Sequence, residues 1–166
     1  MAKAVMRRGT AAFAKRGTTV LELVTILAVA TILAGIVVLN LTNRKRVSEL
    51  STTTVQIVAL LREAQSRSMS QASGASWGVH FENATTSAPA YALFAASYSP
   101  STRTGYYRLS PFVGYAASSI PPGASKDVIF SQLTGTAAST TISLYLRSTP
   151  DVSSTIRIAS SGAVTY

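Results

Sequence analysis

The chain has 166 residues, of which 47% are hydrophobic and only 13% are charged, and it contains no cysteine. Ordinary soluble domains carry charge on about a quarter of their residues. The lack of cysteine excludes a disulfide framework, a thiolate metal site and a cysteine nucleophile. The length suits one domain with an appendage.

The net charge of +9 would suit a nucleic-acid-binding protein, but its distribution indicates a targeting segment. Five of the fifteen basic residues lie in residues 1–17, where there is no acid. The remaining ten basic and six acidic residues leave a net charge of +4 on the rest of the chain. We therefore interpret residues 1–17 as a basic leader, separate from the folded domain.

Residues 18–41 form an apolar segment that is long enough to span a bilayer. A membrane-spanning helix needs about 20 apolar residues, and residues 23–39 contain neither charge nor proline. Five basic residues precede the segment, and Arg44, Lys45 and Arg46 follow it. The positive-inside rule favours a cytoplasmic N-terminus, with the bulk of the chain outside the membrane.

Residues 42–71 continue as an amphipathic helical segment. Apolar or small residues recur there at steps of three and four, namely Val47, Leu50, Thr54, Ile57, Leu61 and Ala64. No proline separates this segment from the apolar one, and the only glycine between them is Gly35. We therefore predict one helix from about Thr19 to about Ser70, apolar all round in its first half and amphipathic in its second.

Residues 72–166 have the composition of a β-rich head. Strands are predicted at residues 77–81, 91–95, 106–109, 128–130, 141–146, 155–158 and 163–166. Turn signals separate them, including Pro121-Pro122-Gly123 and Pro150-Asp151. Alternation over residues 142–146 favours antiparallel strands with one face on a core. The predicted fold class is α+β, with the long N-terminal helix packed on a C-terminal antiparallel sheet.

A short constellation at the start of the apolar segment carries the strongest functional signal. Lys15 and Arg16 precede Gly17, the apolar segment begins at Thr18, and a single acid, Glu22, lies inside it. A charged side chain at the centre of a bilayer costs roughly 2.5–3.5 kcal/mol on insertion scales. Glu22 therefore predicts a partner that offsets this cost.

This constellation, over residues 15–41, resembles the precursors of type IV pilins and pseudopilins. In that family a prepilin peptidase cuts after the glycine of the leader and methylates the new terminal amine. The acid at the fifth mature position pairs with the terminal amine of a neighbouring subunit. The resemblance implies a pilin fold, cleavage between Gly17 and Thr18, N-methylation of Thr18 and an assembly role for Glu22. Thr18 departs from the family, in which the first mature residue is usually aromatic.

The head is most similar to the H-type minor pseudopilin of type II secretion and to related minor pilins. The matching residues are 60–68, Ile129-Phe130, Gly135, 141–144, 156–158 and Gly162-Ala163-Val164. This resemblance implies a structural subunit, minor rather than major, of a type IV pilus or a type II secretion pseudopilus. The implied partners are prepilin peptidase, other pilin or pseudopilin subunits, an inner-membrane assembly platform and the lipid bilayer. The implied location is the bacterial cytoplasmic membrane, with a single span, followed by an extracytoplasmic filament.

Three alternatives stay open at the level of the sequence. The first is a minor pilin that captures DNA through head arginines such as Arg103 and Arg108, although residues 160–166 lack the arginines that DNA-binding relatives carry there. The second is a plain β-domain with a single membrane anchor. The third is a secretory signal cut near residues 28–30, which mimic an A-x-A site. We rank nucleic acid below the structural role.

No pattern indicates an enzyme, a cofactor or a metal site. The six acids are scattered, and there is neither a phosphate-binding glycine loop nor metal-ligand spacing. His80 is the only histidine and lies in a predicted strand, where we expect a packing or surface role. Ala30 and Ala34 have the spacing of a close helix contact, or are ordinary span residues.

Overall fold

A computed structural model describes residues 19–166, without the side chains of residues 35–43. The predicted leader, residues 1–17, and Thr18 lie outside the described residues. The chain divides into two compact units, one ending at Asn40 and the other formed by Leu41–Tyr166. The helix α1, Val20–Met69, begins in the first unit and ends in the second.

The limits of α1 agree with the predicted helix to within one residue at each end. Thr19 precedes the first turn, and a short 3-10 turn, Ala72–Gly74, follows the last. Gln71 and Ser73 both have positive φ angles, of 53° and 58°. This left-handed conformation does not continue a right-handed helix, so the chain leaves α1 here and enters the first strand.

Two antiparallel four-stranded sheets make up the rest of the second unit, and they confirm the α+β class. The first has the strand order β3-β2-β1-β5 and the second β4-β6-β7-β8. The strands are β1 Trp77–Glu82, β2 Ala90–Ala95, β3 Arg103–Arg108, β4 Val113–Tyr115, β5 Ser125–Phe130, β6 Thr140–Leu146, β7 Thr149–Ile158 and β8 Val164–Thr165.

All seven predicted strands are present, but two details of the prediction were wrong. Val113–Tyr115 was not predicted, because three residues with a central glycine give too short a pattern. The predicted turn at Pro150-Asp151 lies inside β7, and the hairpin instead places Leu146 opposite Thr149. Proline is tolerated there because β8 pairs only with Arg157 and Ile158, at the other end of β7.

The core lies between the second half of α1 and the inward faces of both sheets. Leu50, Thr54, Ile57, Leu61 and Ala64 are buried, as predicted. The stripe is wider than predicted and also includes Thr53, Val58, Leu60 and Ser68. Strands of both sheets contribute to the same core cluster, so the helix is covered over a broad arc. Val47 was wrongly assigned to the stripe; it is 49% exposed, one turn before Leu50, which is the first buried residue among the described side chains of α1.

Gly162 lies where two loops meet the end of α1, and its substitution gives a direct test of this packing. Its φ is +84°, and a Cβ there would overlap the carbonyl oxygen of Gly135 and the side-chain amide of Gln65. That amide donates a hydrogen bond to the Gly135 carbonyl over 3.1 Å. We expect Gly162→Ala to lower the free energy of unfolding by about 2–5 kcal/mol, from backbone strain and overpacking together.

The matched control is Gly123→Ala, because Gly123 has a similar φ of +80°. The nearest atom to a Cβ at that position is a Thr85 methyl carbon at 3.8 Å. Gly123→Ala should lower the free energy of unfolding by only about 1–2 kcal/mol, from backbone strain alone. Chemical denaturation of the two variants measures the difference, and equal losses would contradict the predicted crowding at Gly162.

Candidate assembly site

Glu22 lies in the first turn of α1, where its geometry is that of a capped helix start. The Thr19 hydroxyl oxygen accepts a hydrogen bond from the Glu22 backbone N–H over 3.3 Å. Thr19 and Glu22 have the three-residue spacing of a capping box, and an acid in the first turn is favoured by the helix dipole. The Thr25 hydroxyl donates to the Glu22 carbonyl over 2.8 Å. The Glu22 backbone N–H, which has no partner within the helix, is therefore capped by the Thr19 side chain.

The Glu22 carboxylate is exposed. Among the described side chains, no basic group lies within ion-pair distance of it. Gly17 and Thr18, the predicted cleavage site, lie outside the described residues, so their roles stay predictions. Glu22 is thus available for a charged partner from outside the described chain.

The apolar side chains around Glu22 are uncovered on every face of the helix. The large ones between Val20 and Leu33 are 53–82% exposed: Val20, Leu21, Leu23, Val24, Ile26, Leu27, Val29, Ile32 and Leu33. A helix that is apolar all round is normally buried in a larger assembly or in a membrane. Exposed apolar surface of this extent marks a site of contact with lipid or protein.

Ala30 leaves a shallow groove on this helix, lined by Thr25, Ile26, Val29 and Leu33. Ala34 is exposed one turn further along. A small residue bordered by larger apolar ones lets a second helix approach closely. The predicted contact role of Ala30 and Ala34 fits this shape and stays a prediction.

Within the described part of the chain, no helix is both long and apolar enough to cross a membrane. The predicted span, residues 18–41, includes Thr18 and residues 35–41, which lie outside the described side chains.

The basic cluster that follows the apolar segment is only partly solvated. Arg44 and Lys45 are exposed, while Arg46 is half-buried. The Arg46 guanidinium carbon lies 5.2 Å from the centre of the Phe112 ring. Arg46 is therefore positioned by the head through a cation–π contact, which the sequence pattern did not indicate.

His80 has a packing role, in line with the sequence prediction. It is buried in β1, and its Nδ1 lies 2.5 Å from an Asp127 carboxylate oxygen. Its ring stacks on Tyr98, with ring centres 3.5 Å apart. The pairing of β1 with β5 places Asp127 opposite His80, across 47 residues of sequence. Among residues 19–166, no group of three or more histidine or acidic side chains is placed to hold a metal ion.

Comparison with protein-family models, with curated proteins and with solved structures finds no match to this chain.

Proposed function

We propose that this protein is a structural subunit, minor rather than major, of a type IV pilus or type II secretion pseudopilus. In this proposal it is a pilin-like precursor with a membrane-embedded first half of α1 and an external head. A prepilin peptidase removes residues 1–17, and the mature chain passes from the bilayer into a helical filament. The observation that carries the proposal is the apolar start of α1, whose large side chains are all more than half exposed, with one acid in its first turn.

The energetics require that this surface be covered. Full burial of one large aliphatic side chain is worth about 1.5–3 kcal/mol, and nine such side chains are more than half exposed here. Covering them therefore contributes on the order of 10 kcal/mol. Lipid covers the surface before assembly, and the corresponding helices of neighbouring subunits cover it in the filament.

Glu22 supplies the selectivity that apolar contacts lack. Lipid tails are as apolar as leucine, so the hydrophobic effect contributes little when a helix moves from lipid to protein. Association between the helices therefore depends on close packing and on polar pairing. In the family that this sequence resembles, the corresponding acid pairs with a neighbour's terminal amine. Here that amine belongs to Thr18 after cleavage. The pair offsets the cost of each buried charge and sets the axial register of the subunits.

Cysteine labelling tests the proposal, because the chain has no cysteine of its own. Ile26→Cys and Leu133→Cys introduce thiols at positions that are 58% and 65% exposed in the isolated chain. Filaments sheared from cells that make the assembly system should contain both variants. A membrane-impermeant maleimide should label the cysteine at 133 and leave the cysteine at 26 unlabelled.

Two results would count against the filament role. A chain that stays with the membrane and is absent from the sheared fraction would indicate a plain single-span anchor. Equal labelling at both positions within filaments would mean that the apolar start of α1 is not the filament core.

A further inference from the structure

The outer edge of β3 is a free strand edge on the head. β3 is the end strand of the first sheet, and no strand within residues 19–166 pairs with its outer side. The Leu109 backbone N–H bonds to the Pro89 carbonyl over 2.8 Å, toward β2. Because hydrogen-bonding direction alternates along an antiparallel strand, the N–H groups of Tyr106 and Arg108 point outward. Such a row of free N–H and C=O groups is a template for another strand.

A bulge in β3 collects its basic and aromatic side chains on one face. Leu93 lies opposite Gly105 and Phe94 opposite Arg103, so Thr104 is the extra residue. Arg103, Tyr106 and Arg108 thereby share the face of the sheet that points away from α1. The Arg103 guanidinium carbon lies 4.7 Å from the centre of the Tyr106 ring. Bulges are a known means of re-aiming side chains at an edge strand.

The opposite face of β3 borders an open, mostly apolar groove against α1. The groove holds about 260 Å³ and is lined by Gln56, Ala59, Leu60, Glu63, Tyr91 and Tyr107. Tyr107 is 48% exposed and stacks on Tyr91 with ring centres 5.4 Å apart. Burial, and next the neighbouring Tyr107, raise the pKa of Tyr91, so this wall of the groove stays uncharged. The edge therefore has a cationic side and an apolar side.

We propose that the β3 edge binds an extended segment of a different protein chain as an added strand. Side chains of a strand alternate between its two faces, so such a segment would carry acidic residues on one face and apolar residues on the other. The acids would meet Arg103 and Arg108, and the apolar residues would enter the groove beside Tyr107. A second copy cannot supply this segment, because the six acids of the chain are isolated and none lies within ten positions of another.

Binding of a designed peptide to the full-length protein tests this inference independently of filament assembly. The probe is a fluorescein-labelled ten-residue peptide of alternating valine and glutamate, followed by anisotropy in detergent micelles, with empty micelles as a blank. Tyr106→Pro removes the outward N–H but no bond to β2, so the fold tolerates it. Tyr106→Ala removes the ring and keeps the N–H.

We expect Tyr106→Pro to raise the peptide Kd at least tenfold, and Tyr106→Ala to raise it about threefold. Replacing glutamate by lysine in the peptide should abolish binding. Hydrogen exchange of the wild-type protein gives a readout that needs no variant: the peptide should slow exchange at the Tyr106 and Arg108 amides.

Three results would overturn the inference. They are no binding of the glutamate peptide to the wild-type protein, equal affinity for the proline and alanine variants, and unchanged exchange at both amides. Tighter, strongly salt-dependent binding of labelled oligo(dT), insensitive to Tyr106→Pro, would assign the arginine face to nucleic acid instead.

Discussion

Gly17→Leu is expected to leave the precursor at full length in cells that contain a prepilin peptidase. The resemblance implies a scissile bond after Gly17. Leucine at this position would put a bulky side chain directly before that bond, where the wild-type leader has only a glycine. We expect the matured fraction to fall from nearly all of the protein to almost none. Intact mass spectrometry of the membrane-extracted chain gives this fraction directly.

The matched control is Gly9→Leu, which makes the same substitution at the other glycine of the leader. Both variants keep all five leader charges, so membrane targeting is unchanged between them. Gly9→Leu should mature as the wild type does. Normal maturation of Gly17→Leu would rule out cleavage at Gly17–Thr18 and with it the assignment of residues 1–17 as a prepilin leader.

Glu22→Gln should separate maturation from assembly. The substitution keeps the shape of the side chain and the bond from the residue 22 backbone N–H to Thr19, but it removes the charge. Breaking one side of a buried ion pair typically costs about 3–5 kcal/mol, which corresponds to a loss of roughly a hundredfold or more in association. We expect normal cleavage and a loss of the chain from the sheared filament fraction, measured by quantitative immunoblotting.

Glu63→Gln controls for the loss of any carboxylate from α1. Glu63 forms an exposed pair with Arg67 at 2.6 Å, and such surface pairs contribute about 0.3–0.5 kcal/mol. Filament incorporation of this variant should match the wild type. If Glu22→Gln also entered filaments at the wild-type level, Glu22 would have no role in subunit pairing.

The elements of the second unit were largely predictable because their periods are clear. The three- and four-residue steps from Leu50 to Ala64 predict a helix face, and that face is buried. The alternation at residues 142–146 predicts a strand with one buried face, and Ile142, Leu144 and Leu146 are buried in β6. In both patterns the apolar residues are those that face the core, so their spacing along a single sequence is enough to predict the element.

What the sequence did not predict depends on pairing between distant segments. Val113–Tyr115 is identified as a strand, β4, only from its pairing with β6. The partner of His80 is set by the register of β1 against β5. The bulge that brings Arg103, Tyr106 and Arg108 to one face is likewise a matter of register, between β2 and β3. Register is fixed by the packing of whole strands, and no local motif encodes it.

The candidate assembly site differs, since its sequence signal is local and, in our proposal, its geometry is completed by several molecules. Charge and hydropathy single out Glu22 and the glycine that follows Lys15-Arg16, and the resemblance to prepilins implies cleavage between Gly17 and Thr18. The described chain adds the Thr19 cap and the exposure of the surrounding side chains. The partner that completes the site is a neighbouring subunit in our proposal, so a single chain carries only half of the contact.

The most direct test of the central claim is the intact mass of the wild-type protein, extracted from membranes of cells with and without a prepilin peptidase. We predict loss of residues 1–17 only when the peptidase is present, with the added mass of one methyl group on Thr18. A chain that stays uncut in both cases, or one that is cut near Ala30, would contradict the account.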